Sequence, residues 1–358
     1  MAERRAISRL SCAELGDPPW DAPAPPAPAP LPSTGEIVIV GAGLTGLSAA
    51  VAMAGRRRVV VIDEQFGRGA TARSGGVVLG GTLGGAARAF AGCELALRDW
   101  VEARRIDCGL TWSGCLELVR DESLAREPID WRDEGAIRLS SRVEGGVLDP
   151  ARLLGGLLSE ARRAGVHVVN NVAVQAFEAA AGDVRLATNR GTIAARHVVM
   201  ATDAMLAPRA GASVDPWSER GITVAIQTLP LGDAALEGLG VEPDQAFYTD
   251  DLPLLWGRVM PDRSLLVGRE FLRLDEAPGR LAAAGARLLA RARGLHAAAA
   301  DIVLKRVWGG PIAWTKEAVP LVCDDPEIDG VIWAGGYGGH GIAQAFRVGA
   351  LVAERLTG

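Results

Sequence analysis

Residues 36–48 read E-I-V-I-V-G-A-G-L-T-G-L-S, and their types and spacing suit one piece of chemistry, the binding of a pyrophosphate. A β-branched run, Ile37 to Val40, ends in Gly41-Ala42-Gly43-Leu44-Thr45-Gly46, and an apolar, Ala-rich helical pattern follows. Gly41 permits the tight turn out of the strand. Gly43 lacks a Cβ, so a pyrophosphate can reach the backbone, and Gly46 lets the helix pack close to the sheet. The helix opened by Leu44 and Thr45 then offers free N–H groups and a positive dipole end to the phosphates. A second strand, Val59-Val60-Val61-Ile62, ends in Asp63-Glu64. That is about the twenty-residue distance from Gly41 at which an acid meets the adenosine ribose hydroxyls. Asp63 follows the strand directly and is the first choice; Glu64 is the alternate. The whole order, with acid and glycines in register, predicts dinucleotide binding.

Other elements must position this unit. A loop, G-R-G-A-T-A-R-S-G-G, spans 67–76. Residues 111–120 read as a strand of a different sheet. Asp149-Pro150 opens a helix to about 164, with Leu153, Leu154, Leu157 and Leu158 at helical spacing. Strands are predicted at 165–169 and 197–202, with a hairpin of 184–188 and 192–195 turned at Asn189-Arg190-Gly191. Residues 222–230, 246–249, 254–259 and 264–268 alternate as antiparallel strands, 280–298 form a helix, and the chain closes with a strand at 331–334, a glycine cluster at 335–341 and a helix at 342–356. The fold class is therefore α/β: a discontinuous Rossmann-like domain (34–95, 149–215 and 305–358) with an antiparallel β-sheet cap (96–148 and 216–304). Residues 1–33 form a separate Pro/Ala-rich segment that favours extended polyproline II. Trp20 is the one residue there suited to docking on the body. Such a segment buries little, so its removal is expected to leave fold and cofactor binding intact.

With 358 residues the chain can build about two domains. Its apolar fraction of 49% and charged fraction of 23% are those of an ordinary globular enzyme. A net charge of −5 disfavours nucleic acid as a partner. No apolar run reaches the roughly 18 residues of a membrane span. Arg4-Arg5 precedes no apolar stretch, so no export signal is expected. Five cysteines and four histidines without metal-ligand spacing predict no metal site and a reduced, cytoplasmic setting.

Taken together, V-I-V-G-A-G-L-T-G-L-S, G-A-T-A-R-S-G-G, V-L-D-P-A-R-L, G-V-H-V-V, V-V-M-A-T-D-A, W-G-G-P-I-A-W-T-K-E-A-V-P-L and A-G-G-Y-G-G-H-G-I-A resemble the FAD-dependent D-amino-acid oxidase/glycine oxidase superfamily over about 36–358. The W-G-G and G-Y-G-G-H-G-I-A runs look most like γ-glutamylputrescine oxidases. The resemblance implies that Thr71, Ala72, Arg73, Ser74, Gly75 and Gly76 wrap the pyrophosphate and isoalloxazine. It implies that Val174 packs by the adenine and that Ala201 and Thr202 meet the cofactor. Gly310, two positions before the place of the substrate-carboxylate arginine of glycine oxidases, is a further cofactor contact that the resemblance implies. Gly336, Tyr337, Gly338, Gly339, His340, Gly341 and Ile342 would line the flavin's pyrimidine end, where negative charge develops on reduction. His340 is a candidate for a chemical role or for ordering this loop. Trp308 and Trp314 are candidate walls of the substrate pocket, or plain core.

Four departures narrow the expectation. Ile312 stands where glycine oxidases carry a substrate-carboxylate arginine, and Ala343 where sarcosine oxidases carry an anchoring lysine. Leu266 matches their oxygen-activating lysine. Cys323 does not match their flavin-linking cysteine. FAD is therefore expected to be non-covalent, and a simple α-amino acid is not favoured; Arg258 is a candidate replacement anion contact. The expected reaction is oxidation of a C–N bond of an amine or amino-acid-like small molecule by hydride transfer to flavin N5, followed by imine hydrolysis, with O2 or another electron acceptor. The alternatives are a dehydrogenase that passes electrons to a quinone or protein, and a flavin-bearing subunit that needs a partner chain.

Overall fold

A computed structural model describes residues 5–9, 11–80, 90–133, 135–208, 217–250 and 254–358. The helices of these residues are α1 (Leu44–Met53), α2 (Cys93–Ala103), α3 (Pro150–Arg163), α4 (Asp233–Leu239), α5 (Ala277–Gly294) and α6 (Gly341–Thr357). The fold is α/β, with two large sheets. Val/Ile-rich runs form the parallel centre of the first: Thr34–Val40 lies between Gly191–Met200 and Val59–Ile62, His167–Val169 follows, and Val331–Gly335 joins the carboxyl half of Gly191–Met200. Near-continuous apolar strands suit a sheet covered on both faces. Ile37, Ile39 and Val61 face the core that holds α1, α3 and α6, while Val38, Val40 and Ile62 face the opposite core. The hairpin Asp183–Thr188/Gly191–Met200 forms with its turn at residues 189–190, as the sequence predicts. Asp149 caps α3 by accepting from the N–H groups of Ala151 and Arg152, and Pro150 occupies the first turn, where its missing N–H costs nothing.

The second sheet has eight strands, in the order Leu304–Trp314, Glu219–Pro230, Ser264–Arg273, Trp256–Val259, Ala246–Thr249, Cys115–Val119, Ala136–Val143, Glu127–Arg132. It is antiparallel with one exception. Ala246–Thr249 and Cys115–Val119 run parallel, at the seam where two distant pieces of chain meet. The strand Leu304–Trp314, grouped by sequence with the nucleotide-binding pieces, is an edge of this second sheet. One face of the sheet packs on α5 through Ile222, Val224, Leu265, Val267 and Leu288.

The amino-terminal segment is docked, contrary to the expectation of a dispensable tail. Leu15 and Trp20 are buried, and the Trp20 indole N–H donates to the Ser74 carbonyl at 2.8 Å. Gly309 N–H donates to Leu15 O at 2.7 Å, and Arg306 donates to Pro18 O at 3.0 Å. Arg5–Arg9 is itself a strand, paired with Val174–Ala180 and Leu206–Pro208. Composition alone missed this because the anchors are two apolar side chains and a set of main-chain carbonyls, neither of which a Pro/Ala count registers.

Candidate functional site

A cavity of about 1310 Å³ lies between the two sheets. That exceeds the roughly 300–1,000 Å³ of ordinary small-ligand sites. Its floor is main chain. Gly41 adopts φ +107°, and a Cβ there would lie 2.5 Å from the Ala201 carbonyl oxygen. A Cβ on Gly46 would collide with the Gly41 carbonyl, so the glycine is needed for helix-to-turn packing, and Gly46 itself does not line the cavity. Gly43 differs. Its φ of −79° suits any residue, and a Cβ there would meet only Thr71 Oγ1, at 3.2 Å. It is the open point of the cradle. As N-cap of α1 it brings no side chain to the helix end. Thr71 Oγ1 accepts from Leu44 N–H at 3.2 Å and ties the 67–76 loop to the helix.

Of the residues singled out by sequence, Gly41, Gly43, Leu44, Thr45, Asp63, Glu64, Thr71, Ala72, Arg73, Ser74, Gly75, Val174, Ala201, Thr202, Trp308, Gly310, Tyr337, Gly338, Gly339, His340, Gly341 and Ile342 line the cavity. Asp63 accepts from Ala42 N–H at 2.7 Å and from Gln65 N–H at 2.8 Å, and burial pushes its carboxyl up. Thr202 Oγ1 is buried without a hydrogen-bond partner among the described residues, a polar atom that a bound group would satisfy. The imidazole of His340, which ends the loop before α6, is pushed down by burial and is neutral near neutral pH.

Several side chains serve other purposes than the sequence suggested. The Arg73 guanidinium binds the carbonyls of Leu15, Gly16 and Gly309, so only the rest of the residue is left to the cavity. Trp308 lines the cavity as a candidate wall should, but it is 1% exposed and its indole N–H also donates to Arg73 O at 3.0 Å, which anchors the 67–76 loop. Arg258 lies outside the cavity lining. It is buried, donates to the carbonyls of Leu148 at 2.8 Å and Gly76 at 3.2 Å, and lies 3.6 Å from Asp244. An arginine committed in this way supports the backbone of the loop; it is not the replacement anion contact expected from its strand. Gly76 sits behind the cavity, as the carbonyl partner of that arginine. Gly336 is likewise behind it, donating its N–H to Asp203 Oδ1 at 2.8 Å. Cys323 is away from the cavity, in the strand Leu321–Asp324; Cys12 lines it, with its thiol pushed up by burial.

Of the roof, the sequence pointed to Trp308 and Trp314, which both line the cavity, but not to the rest. Register pairs place Trp308, Ala225, Gly268, Trp256, Tyr248, Glu117 and Ser141 in one row across seven strands' width of the second sheet, on one face. Five of them, Trp308, Ala225, Trp256, Tyr248 and Glu117, line the cavity, with Glu219, Thr223, Phe271, Ile312 and Trp314 further along. Phe271 and Trp314 meet edge to face at 5.1 Å. Tyr248 and Ser141 donate to Glu117 at 2.8 and 2.7 Å, and burial, then the neighbouring carboxylate, pushes the phenol of Tyr248 up. For Glu117 the one available signal was an acid within the apolar strand C-L-E-L-V.

Asp203 was missed as well. It holds φ +46°, binds Gly336, and is pushed up to about 6 by burial. Tyr337, next in the loop, hydrogen-bonds Thr45 of α1. These two side chains tie the end of Gly191–Met200, the 335–341 loop and α1 into one frame. Among the described residues no helix is long and apolar enough to cross a membrane, and no group of His, Cys, Asp and Glu could hold a metal ion.

Glycine oxidase from Geobacillus kaustophilus has a similar structure, with a TM-score of 0.71 at 21% identity, covering 90% of this chain and 94% of that one. L-proline dehydrogenase from P. horikoshii gives 0.70 at 19%, covering 91% and 94%. L-amino acid deaminase from Proteus myxofaciens gives 0.71 at 15%, covering 99% and 96%. No curated protein matches the sequence. The family described as FAD dependent oxidoreductase (DAO) matches residues 36–355, nearly the whole of the two-sheet body around the cavity. The chain belongs to this family of FAD-dependent oxidoreductases.

Proposed function

We propose that the chain oxidises the C–N bond of an amine or amino-acid-like small molecule, with FAD held non-covalently. In this reading Gly43 and the amino end of α1 hold the pyrophosphate, Asp63 (or Glu64) the ribose and Val174 the adenine. The 71–75 segment, Thr202 and the loop from Tyr337 to Ile342 hold the isoalloxazine. When bound, the flavin supplies the two-electron acceptor for the bond being oxidised. The chain's own work is orientation and electrostatics. The sheet row presses the substrate toward the floor, and the amino end of α6 lies where negative charge would be stabilised. Neutral His340 leaves that loop without a fixed cation.

The observation that carries the reading is the single cavity that joins the dinucleotide cradle to a roof of aromatic and acidic side chains. The similar structures act on glycine, L-proline, L-amino acids and iminodiacetate, all of them C–N substrates. Ile312 is 8% exposed and apolar on the cavity wall, so a small α-carboxylate has no partner at that point. The test is anaerobic titration of the yellow protein with amines, amino acids and matched alcohols. Bleaching of the flavin band by amines is expected. Bleaching by alcohols or hydroxy acids with none by amines would overturn the proposal. Leu266 is wholly buried in apolar surroundings, which favours an acceptor other than O2. Oxygen uptake in steady state separates the two acceptors.

A further inference from the structure

Glu117 is a carboxylate on the roof of the cavity with no ion-pair partner among the described residues. Its two oxygens accept from the hydroxyls of Tyr248 and Ser141, and no arginine or lysine among the described residues pairs with it. Hydroxyl partners fix its orientation but leave its charge whole. A glutamine would tie the same strands together at less desolvation cost, so mere cross-strand bonding does not account for an acid here. Arg269, which lines the same cavity, is directed to the buried Asp133, which it shares with Arg120 and Arg291, and Glu144 faces Arg98 at 3.8 Å.

Two further features mark the same corner. Glu94, in the first turn of α2, lines the cavity, and its Oε2 atom is buried without a hydrogen-bond partner among the described residues. It lies against Gly80, next to Leu79, which packs on the same buried cluster of Cys115, Val147 and Ala246 as Val143 and Tyr248 do. Beside Glu117 in the row stand the rings of Tyr248 and Trp256, whose faces attract cations. Trp256 lies against Gly75, in the loop read above as flavin-holding, and Glu117 stands two strands beyond Trp256. That separation is about 10 Å.

We infer that this corner is a cation subsite, with Glu117 as its charged contact, and that the substrate is an amine carrying a second, positively charged nitrogen several bonds from the C–N bond that is oxidised. The inference rests on the amine reading above and narrows it to di- and polyamine-like molecules. The subsite contributes binding and register; the second ammonium stays protonated while the reacting amine enters neutral.

The experiment compares linear diamines of four to ten carbons with alkylamines of equal length, on the FAD-loaded enzyme and on Glu117→Gln. It reads the rate of flavin bleaching at low amine concentration and, separately, the melting-temperature shift given by each ligand. A charge-assisted contact predicts that the best diamine outpaces its alkylamine by roughly tenfold or more. E117Q should bring the ratio toward one while FAD content stays that of the parent. Equal rates for diamines and alkylamines, or a preference unchanged in E117Q, would overturn the subsite. If no amine bleaches the flavin, the reaction reading fails by itself. The subsite then stands only if a diamine raises the melting temperature of the parent and not of E117Q, and falls if the shifts are absent or equal.

Discussion

The floor and the roof of the cavity meet the same contents by different means. The floor, at residues 41–45, 71–75 and 337–342, is main chain held in shape by glycines and by a few side-chain ties. The roof is a row of side chains drawn from strands that lie far apart in sequence, from Glu117 to Trp308. In the proposed reading a floor of backbone amides can serve any substrate, because it would touch only the cofactor. A roof of side chains can be rewritten one residue at a time. The cofactor should therefore be sensitive to backbone changes in the floor, and substrate choice to point changes in the roof.

The sharpest way to break that division is Gly43→Val. The position has ordinary φ and room for a side chain apart from Thr71 Oγ1 at 3.2 Å, so the protein should fold. The added methyls would occupy the space assigned to the pyrophosphate, and FAD content should drop to less than roughly a tenth of the parent's. Gly46→Val, whose Cβ meets the Gly41 carbonyl, should instead lose soluble folded protein. The FAD-to-protein absorbance ratio and a thermal melt separate the outcomes; stoichiometric FAD in the Gly43 variant would show that the phosphates lie elsewhere.

Next in size is the strap that carries Leu15 and Trp20. Trp20→Ala should cost about 3–5 kcal/mol, the range for large buried side chains, and deletion of residues 1–30 should cost more. The deletion also strands the Arg73 guanidinium, two of whose acceptors are Leu15 and Gly16. Denaturant unfolding measures both. A deletion variant with unchanged midpoint and FAD content would restore the dispensable tail that composition suggests.

A pH-dependent effect tests how the floor is held. Burial raises the Asp203 carboxyl to about 6, so its ionisation costs the folded state. The cost is absent below its ordinary value of 3.8, grows as pH rises from there to about 6, and is complete above. Asp203→Asn keeps an acceptor for Gly336 N–H and removes the charge. It should therefore be more stable than the parent at pH 8 by roughly 1–3 kcal/mol, with the gap closing toward pH 4. Melting curves across this range check it; a gap of constant size would mean that the carboxyl titrates normally.

How much could be read from the sequence follows the same division. The cradle is contiguous: Gly41 to Gly46, then Asp63, then 71–76 at short intervals, so strand and helix periods bracket it and its chemistry is local. The roof needs the register of the second sheet, and register is set by tertiary pairing. Nothing near Glu117 in sequence says that Tyr248 lies beside it in a parallel pairing. Arg258 reads as a strand arginine available to an anion, yet the carbonyls of Leu148 and Gly76 that absorb it come from segments more than a hundred residues away. Trp20 and Trp308 show the converse. Trp20 reads as a docking or a loose aromatic and Trp308 as a pocket wall or plain core, and each is an anchor whose N–H binds the 67–76 loop.

The smallest expected effect asks whether side chains matter in the floor at all. Tyr337 hydrogen-bonds Thr45 across the gap between the 335–341 loop and α1, and burial pushes its phenol up, so it stays protonated throughout the working range. Tyr337→Phe keeps the ring against Gly341 and removes only that bond. One neutral hydrogen bond contributes about 0.5–1.5 kcal/mol, which corresponds to roughly a threefold to tenfold rise in the Kd of FAD if the bond sets the distance between the two segments. Thr45→Ala should give a similar rise, and the double variant should add little beyond either single one, because both remove the same contact. FAD titration by fluorescence quenching gives the four constants of the cycle. Fully additive losses would mean that each residue contacts the cofactor separately, and unchanged Kd values would mean that the main chain alone shapes the floor.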